Sequence, residues 1–325
     1  MAGVRGEGAV PLTGPRSHLD ALFRSGEFVV TAELPTTDSA DPASVYEVAD
    51  VLQGKVDAVN VTDNSAAHPH ISGMAAAHLM VDRGLEPIQQ FACRDRNRLA
   101  LQADLLGAAA LGVRNVCIMT GDDVSAGDHP EAKPIYDIEA VHLLRIARIM
   151  RDEGVYLSGR TLDAPPSFLI GAVENPFAPP LDFRPMRLGK KVQAGAEFIQ
   201  TQICFNLERM RLFLARAGDL GNLTVPILAG VFVPKTVKGV RYLRDHVPGI
   251  DVPDAVVERM EAVAPERQAD EGVAIAVELV QELREMPGIR GVHLMAIRNE
   301  ENLLRVIEHA GLLPRPERVE TAPVG

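Results

Sequence analysis

The sequence predicts an α/β protein built as a single (β/α)8 TIM barrel, with an extra helix before the eighth strand. Eight near-continuous apolar runs of strand length alternate with segments of helical period, which is typical of a parallel sheet covered on both faces. Seven of these runs end in a polar or charged residue. The 325 residues also exceed the roughly 250 that such a barrel needs, so one domain with tails accounts for the chain.

The apolar runs give the predicted strands in chain order. Their ranges are 28–34, 56–63, 87–93, 115–121, 167–175, 198–204, 225–234 and 291–297. Apolar residues recur at helical spacing between them, as in 138–150 and from Leu303 to Ala310. The segment 249–272 adds an acidic helix ahead of the last strand. No GxGxxG motif follows a strand, which disfavours an open dinucleotide-binding sheet.

Composition narrows the class of protein. Apolar residues make up 46% and aromatic residues only 4%, so the core is expected to be aliphatic. A net charge of −11 provides no basic footprint for nucleic acid. No run reaches the roughly 18 apolar residues of a membrane span. We expect a disordered lead over 1–17, the catalytic barrel over 18–313 and a disordered tail over 314–325.

The cysteines and the N-terminal residues indicate the cellular compartment. Cys93, Cys117 and Cys204 all fall in strand-like runs, and no CxxC pair occurs. This pattern predicts reduced, buried thiols and no structural zinc site. The N-terminal residues lack the apolar stretch of a secretory signal. Together these features predict a cytoplasmic protein.

The strand ends supply the candidate functional residues, because parallel barrels carry their chemistry there. The seven ends are Glu33, Asp63, Asp122, Asn175, Gln202, Lys235 and Arg298. Glu33 closes an apolar strand, where a carboxyl group acts either as a general acid or as a salt-bridged rim residue. Asp122 follows Gly121 and either stabilises a cation or caps a helix. The long loops 122–137 and 176–186 flank the same face.

Other polar residues admit two interpretations each. Asn60, Gln90 and Gln200 lie in strand runs and need partners, which either a heterocyclic ligand or a mutual network supplies. The pair His68 and His70 favours a solvated loop over a metal site. His293 is expected in the core, and Lys190 and Lys191 either bind phosphate or form an exposed face.

Five short motifs occur in order along the chain. They are TAEL with Glu33, VNVTD with Thr62, MTGD with Asp122, KKVQAGA with Lys190 and Lys191, and TQICF with Gln202. Together they resemble the methylenetetrahydrofolate reductases over about residues 26–313. The stretch 120–137 is more similar to the reductase domains found beside homocysteine methyltransferases and in acetogens than to the enteric type.

The resemblance implies a barrel enzyme that reduces 5,10-methylenetetrahydrofolate to 5-methyltetrahydrofolate. NADH or NADPH would be the reductant, and the product would supply methyl groups for methionine synthesis. FAD is the expected flavin, with FMN or direct hydride transfer from NAD(P)H as alternatives. Folate and NAD(P)H are the expected small-molecule partners, and a homo-oligomer or a partner subunit is compatible with the resemblance. No metal is expected.

The resemblance also implies roles for individual residues. Glu33 would be the acid that opens the imidazolidine ring, and Asp122 would stabilise the iminium cation. Gln202, Asp122, Phe205 and Arg298 would contact the folate. The cofactor would meet Thr62, Gln90, Thr120, Asp122, Ala172, Arg187, Lys190 and Lys191.

Several cofactor positions depart from the enteric pattern. Thr120 stands where that pattern has Arg, Gln90 where it has His, and AVENP (172–176) where it has an aromatic residue and a His. These differences concern the flavin site.

Two further functions remain as alternatives. One is a reductase-like subunit that binds folate, flavin or a corrinoid and acts only with a partner protein. The other is an unrelated phosphate-binding lyase, against which the sequence PKTVKG after strand seven argues because it is not a Gly-rich phosphate loop.

Overall fold

In the computed structural model, which describes residues 14–35, 37–297 and 299–319, parallel strands close into one barrel. The strands are β1 Val29–Glu33, β2 Ala58–Val61, β3 Pro87–Ala92, β4 Asn115–Met119, β5 Leu169–Glu174, β6 Phe198–Ile203, β7 Ile227–Phe232 and β8 Ile289–Met295. Each strand pairs with its neighbour in the chain, and β8 pairs with β1 through contacts such as Val30 with Val292. The predicted (β/α)8 barrel is confirmed.

Helices surround the barrel. They are α1 His18–Ser25, α2 Ala43–Leu52, α3 Gly73–Asp82, α4 Arg98–Ala110, α5 Ala140–Asp152, α6 Arg184–Ala194, α7 Leu207–Asp219, α8 Val237–His246, α9 Asp254–Glu261, α10 Gln268–Arg284 and α11 Glu300–His309. Helices α8, α9 and α10 all lie between β7 and β8, so the predicted extra helix is present. Among the described residues, no helix is both long and apolar enough to cross a membrane.

Helix α1 closes one end of the barrel. Its Leu19 and Leu22 pack against inward-facing residues near the amino ends of the strands, such as Phe198. The carboxylate of Glu86 accepts hydrogen bonds from the backbone N–H groups of His18 and Leu19, at 2.9 Å each. These first-turn donors have no partner within the helix, so Glu86 satisfies them. Helix α1 therefore covers the amino end of the barrel.

Arg315 lies within the segment predicted as a C-terminal tail. Its guanidinium donates two hydrogen bonds to the buried carboxylate of Asp57, at 2.6 and 3.0 Å. It also donates to the carbonyl oxygen of Phe28 at 2.8 Å. A bidentate pair of this kind is among the stronger protein hydrogen bonds. It ties the chain after α11 to the start of β1 and β2.

The three cysteines are buried as free thiols, as the sequence predicted. Burial raises the pKa of each thiol, Cys93, Cys117 and Cys204, to about 12. A thiol needs both access and a thiolate form to react. We therefore expect the native protein at pH 8 to resist a thiol reagent, whereas all three groups titrate after denaturation. A count of reacted thiols with and without denaturant checks this, and rapid native reaction would contradict it.

Candidate active site

A cavity of about 420 Å³ opens at the carboxyl ends of the strands. Its volume falls within the range typical of ligand pockets. Eight of the twelve residues to which the resemblance gave a role line it, namely Glu33, Thr62, Gln90, Thr120, Asp122, Arg187, Lys191 and Gln202. The strand ends thus bring together groups that are up to 169 positions apart in the chain, from Glu33 to Gln202.

Other predicted site residues lie elsewhere. Ala172 and Phe205 are buried in the main hydrophobic core. Ala172 alternates with Val173, which lines the cavity, so Ala172 faces the helices instead. Lys190 is exposed, and its ammonium lies 5.4 Å from the ring centre of Phe183. Arg298 lies outside the described residues.

Glu33 lies at the open end of β1 next to a histidine. The Nε2 atom of His293 is 3.6 Å from Oε2 of Glu33, and its Nδ1 atom is 3.0 Å from the hydroxyl oxygen of Thr31. The His293 side chain is 4% exposed, whereas that of Glu33 is 33% exposed. Nε2 has no hydrogen-bond partner among the described residues. The sequence predicted His293 in the core; the residue is buried but lines the cavity, and its contact with Glu33 was not predicted.

Asp122 is held at the cavity by its neighbours on both sides. Its Oδ2 atom accepts a hydrogen bond from the backbone N–H of Ala66 at 3.1 Å. Its carbonyl oxygen accepts from the hydroxyl of Tyr136 at 3.1 Å and from the guanidinium of Arg94 at 3.3 Å. Gly121 precedes it with φ +93°, and a side chain there would approach the Cβ of Arg94 at 3.1 Å. Glycine is therefore required at this turn.

Some buried amide side chains hydrogen bond to other protein groups, and one leaves a donor group for a ligand. The side chains of Asn60 and Gln200 hydrogen bond each other reciprocally across the barrel, at 2.7 and 2.9 Å. For this pair, the mutual network is the correct interpretation. The amide oxygen of Gln202 accepts from the backbone N–H of Ile203 at 2.9 Å. Since this uses the acceptor end, the amide NH2 of Gln202 is the group left for a ligand among the described residues.

A cluster of charges lies where β5 meets α6. The ammonium of Lys191 is 2.6 Å from Oε2 of Glu174, and both side chains are almost fully buried. Arg184 and Arg187 lie 3.8 and 4.0 Å from the same carboxylate. Burial lowers the pKa of Lys191, while Glu174 opposes that change. Glu174 was not predicted, although a charged residue within the run SFLIGAVEN was the available signal.

Two of the weaker candidates make structural contacts, although Asp63 also lines the cavity. Asp63 accepts a hydrogen bond from the backbone N–H of Ala92 at 2.8 Å and pairs with Arg96. Burial raises the pKa of Asp63, and the charge of Arg96 opposes this. Nδ1 of His70 lies 2.6 Å from a carboxylate oxygen of Asp38. No group of three or more His, Cys, Asp or Glu residues in the described chain is arranged to hold a metal ion.

Comparison with known sequences identifies one family and relatives that carry its name. The profile of the family described as methylenetetrahydrofolate reductase matches residues 18–311. Methylenetetrahydrofolate reductase 2 of Schizosaccharomyces pombe is 22% identical over 69% of this chain and 35% of its own length. A probable methylenetetrahydrofolate reductase (NADPH) of Caenorhabditis elegans is 22% identical over 74% of this chain and 34% of its own length. The chain therefore spans about a third of these curated relatives.

Solved structures share the fold. A protein from Clostridium thermocellum, described as binding two copies of 5-methyl-5,6,7,8-tetrahydrofolic acid, superposes with a TM-score of 0.64 at 13% identity. The match covers 92% of this chain and 99% of that one. EDTA monooxygenase from Chelativorans sp. BNC1 gives a TM-score of 0.55 at 10% identity, covering 89% and 93%. At such identities the likeness concerns the barrel alone.

Proposed function

Because the chain belongs to the methylenetetrahydrofolate reductase family, we propose that it reduces 5,10-methylenetetrahydrofolate to 5-methyltetrahydrofolate with NADH or NADPH. The observation that carries this proposal is the presence of Glu33, Asp122 and Gln202 around one cavity at the strand ends. The resemblance assigns these three residues to ring opening, stabilisation of the cation and contact with the folate. The product would be a methyl donor for methionine synthesis.

The proposed reaction begins with proton transfer from the Glu33 carboxyl group to N10 of the folate. The bond between N10 and the bridging methylene carbon breaks, which leaves an iminium cation at N5. The carboxylate of Asp122, held in place by the Ala66 N–H, stabilises this positive charge, since a charge that is already oriented needs no reorganisation as the cation forms. Hydride then moves from the reduced nicotinamide to the iminium carbon and forms the methyl group. The partly exposed Glu33 regains its proton from solvent.

The cavity fits a flavin poorly. Among its lining residues in the described chain there is no Phe, Tyr or Trp ring on which an isoalloxazine could stack. Lys191, which the resemblance assigned to the cofactor, is already paired with Glu174 at 2.6 Å. Ala172 faces the helices and cannot contact a cofactor. We therefore derive no step through FAD or FMN and propose direct hydride transfer from the nicotinamide to the folate.

His293 is expected to support the acid. Hydrogen bonds to charged groups contribute about 1.5–3 kcal/mol, which corresponds to roughly 10- to 100-fold in rate. Catalytic hydrogen bonds are often long before substrate binds, so the 3.6 Å separation from Glu33 is compatible with such a role. We expect His293→Phe to lower kcat by this factor, as measured by steady-state kinetics. Unchanged kcat would contradict the role, and His309→Phe on the exposed face of α11 is the control.

A direct assay tests the function. Purified protein is mixed with 5,10-methylenetetrahydrofolate and either NADH or NADPH, and 5-methyltetrahydrofolate is quantified by chromatography. We expect folate-dependent oxidation of at least one nucleotide and no visible flavin bands in the absorption spectrum. Strong flavin bands would contradict direct transfer. An inactive chain that a partner protein activates would instead favour the subunit alternative.

A further inference from the structure

Arg94 joins the loops at the mouth of the cavity. It follows β3, and its side chain is 2% exposed. The guanidinium donates to both carboxylate oxygens of Asp95, at 2.7 Å each. It also donates to the carbonyl oxygen of Asn64 in the loop after β2, at 3.0 Å, and to that of Asp122 after β4, at 3.3 Å. One buried cation therefore contacts the loops after three consecutive strands.

The loop after β2 is strained. Asn64, Ala66 and Ala67 have φ values of 50°, 52° and 59°, which residues with a Cβ atom rarely adopt. Such residues are strained and persist only where their surroundings hold them. Gly127 packs closely against this loop, since a side chain there would lie 2.0 Å from the carbonyl oxygen of Ala67. Arg94 also holds this loop, at the carbonyl oxygen of Asn64.

This strained loop sets the direction of a reacting group. The Ala66 N–H donates to Oδ2 of Asp122, so the carboxylate orientation depends on the position of Ala66. Arg94 fixes the main chain on both sides of that contact, at Asn64 and at Asp122. A planar guanidinium can hold two carbonyls and a carboxylate at once, whereas a lysine ammonium presents a single point of charge.

We propose that Arg94 is a positioning residue, which locks the loops after β2 and β4 together so that the Ala66 N–H orients the Asp122 carboxylate toward the substrate. The proposal rests on the proposed function, because it concerns the same reaction. It adds a residue that acts through Asp122, although Arg94 itself also borders the cavity. A displacement of about 1 Å in a catalytic group can lower the rate roughly 100-fold, which sets the size of the expected effect.

The test is a double-mutant cycle between Arg94→Lys and Asp122→Asn. We expect Arg94→Lys alone to lower kcat by roughly 10- to 100-fold, with a much smaller change in KM for the folate. In the Asp122→Asn background the same change should have little further effect, because the group it positions has been removed. A residue with only a structural role would lower activity to the same degree in both backgrounds. Additive losses would therefore overturn the proposal.

Two further variants keep the test decisive. If Arg94→Lys does not fold, Asp95→Asn takes its place, because it weakens the contact with the guanidinium without removing it. We expect Asp95→Asn to lower kcat by a smaller factor. In the Asp122→Asn background it should have no further effect. Arg211→Lys, on the exposed surface of α7, is the matched control and should leave kcat unchanged. A wild-type chain that does not reduce folate would overturn the proposed function and this inference together. An active wild type with an additive cycle would overturn the inference alone.

Discussion

Glu33→Gln is expected to abolish folate reduction while leaving the barrel folded. The change replaces the proton-donating carboxyl group by an amide of the same shape that cannot donate in the same way. General acid catalysis contributes about 10²- to 10⁴-fold, and we expect kcat to fall within or beyond that range. Binding of 5-methyltetrahydrofolate should persist, because Gln202 and Asp122 still line the cavity. Turnover assays with equilibrium binding of the product measure the two effects separately.

The control for this experiment is Glu27→Gln. Glu27 is exposed and lies just before β1, so the substitution is chemically identical but remote from the cavity. Its turnover should equal that of the wild type. Near-wild-type turnover in Glu33→Gln would show that Glu33 is not the general acid. Loss of folate binding in that variant would instead assign it to substrate binding.

The barrel and much of its active face could be predicted from the sequence because both depend on local patterns. A buried parallel strand requires an uninterrupted apolar run, and a polar residue at its end, such as Glu33 or Asp122, stands out against that run. Barrel closure then brings those ends together without further information from the sequence. Eight of the residues to which the resemblance gave a role accordingly share one cavity.

The remaining features depend on contacts between distant segments, which no local pattern encodes. Nothing in the sequence distinguishes Arg94 from an exposed loop arginine, yet its side chain is buried and hydrogen bonds to the carbonyl oxygens of Asn64 and Asp122. Glu174 precedes the polar residue that was taken as the strand end, and its significance arises only when α6 brings Lys191 beside it. Ala172 was assigned to the cofactor by its position in a motif, whereas strand alternation turns it away.

Glu174→Gln is expected to destabilise the fold more than any other single change to the charge cluster. It leaves the buried ammonium of Lys191 without its carboxylate and next to Arg184 and Arg187. Breaking a buried pair by removing one partner typically costs about 3–5 kcal/mol. Lys191→Met should cost less, because the two arginines still face the carboxylate that remains. Urea unfolding followed by circular dichroism measures both free energies of unfolding.

The double variant Glu174→Gln/Lys191→Met separates loss of the ion pair from loss of packing. With both charges replaced, no uncompensated ammonium remains, so this protein should be more stable than Glu174→Gln alone. The exposed pair of Arg211 and Glu282 has the same 2.6 Å separation, and Glu282→Gln should change stability by about 1 kcal/mol or less. Equal costs for Glu174→Gln and Glu282→Gln would mean that burial does not strengthen the inner pair. A larger cost for Glu174→Gln that the second substitution relieves would show that Glu174 is needed to keep a charged lysine inside the wall of the cavity.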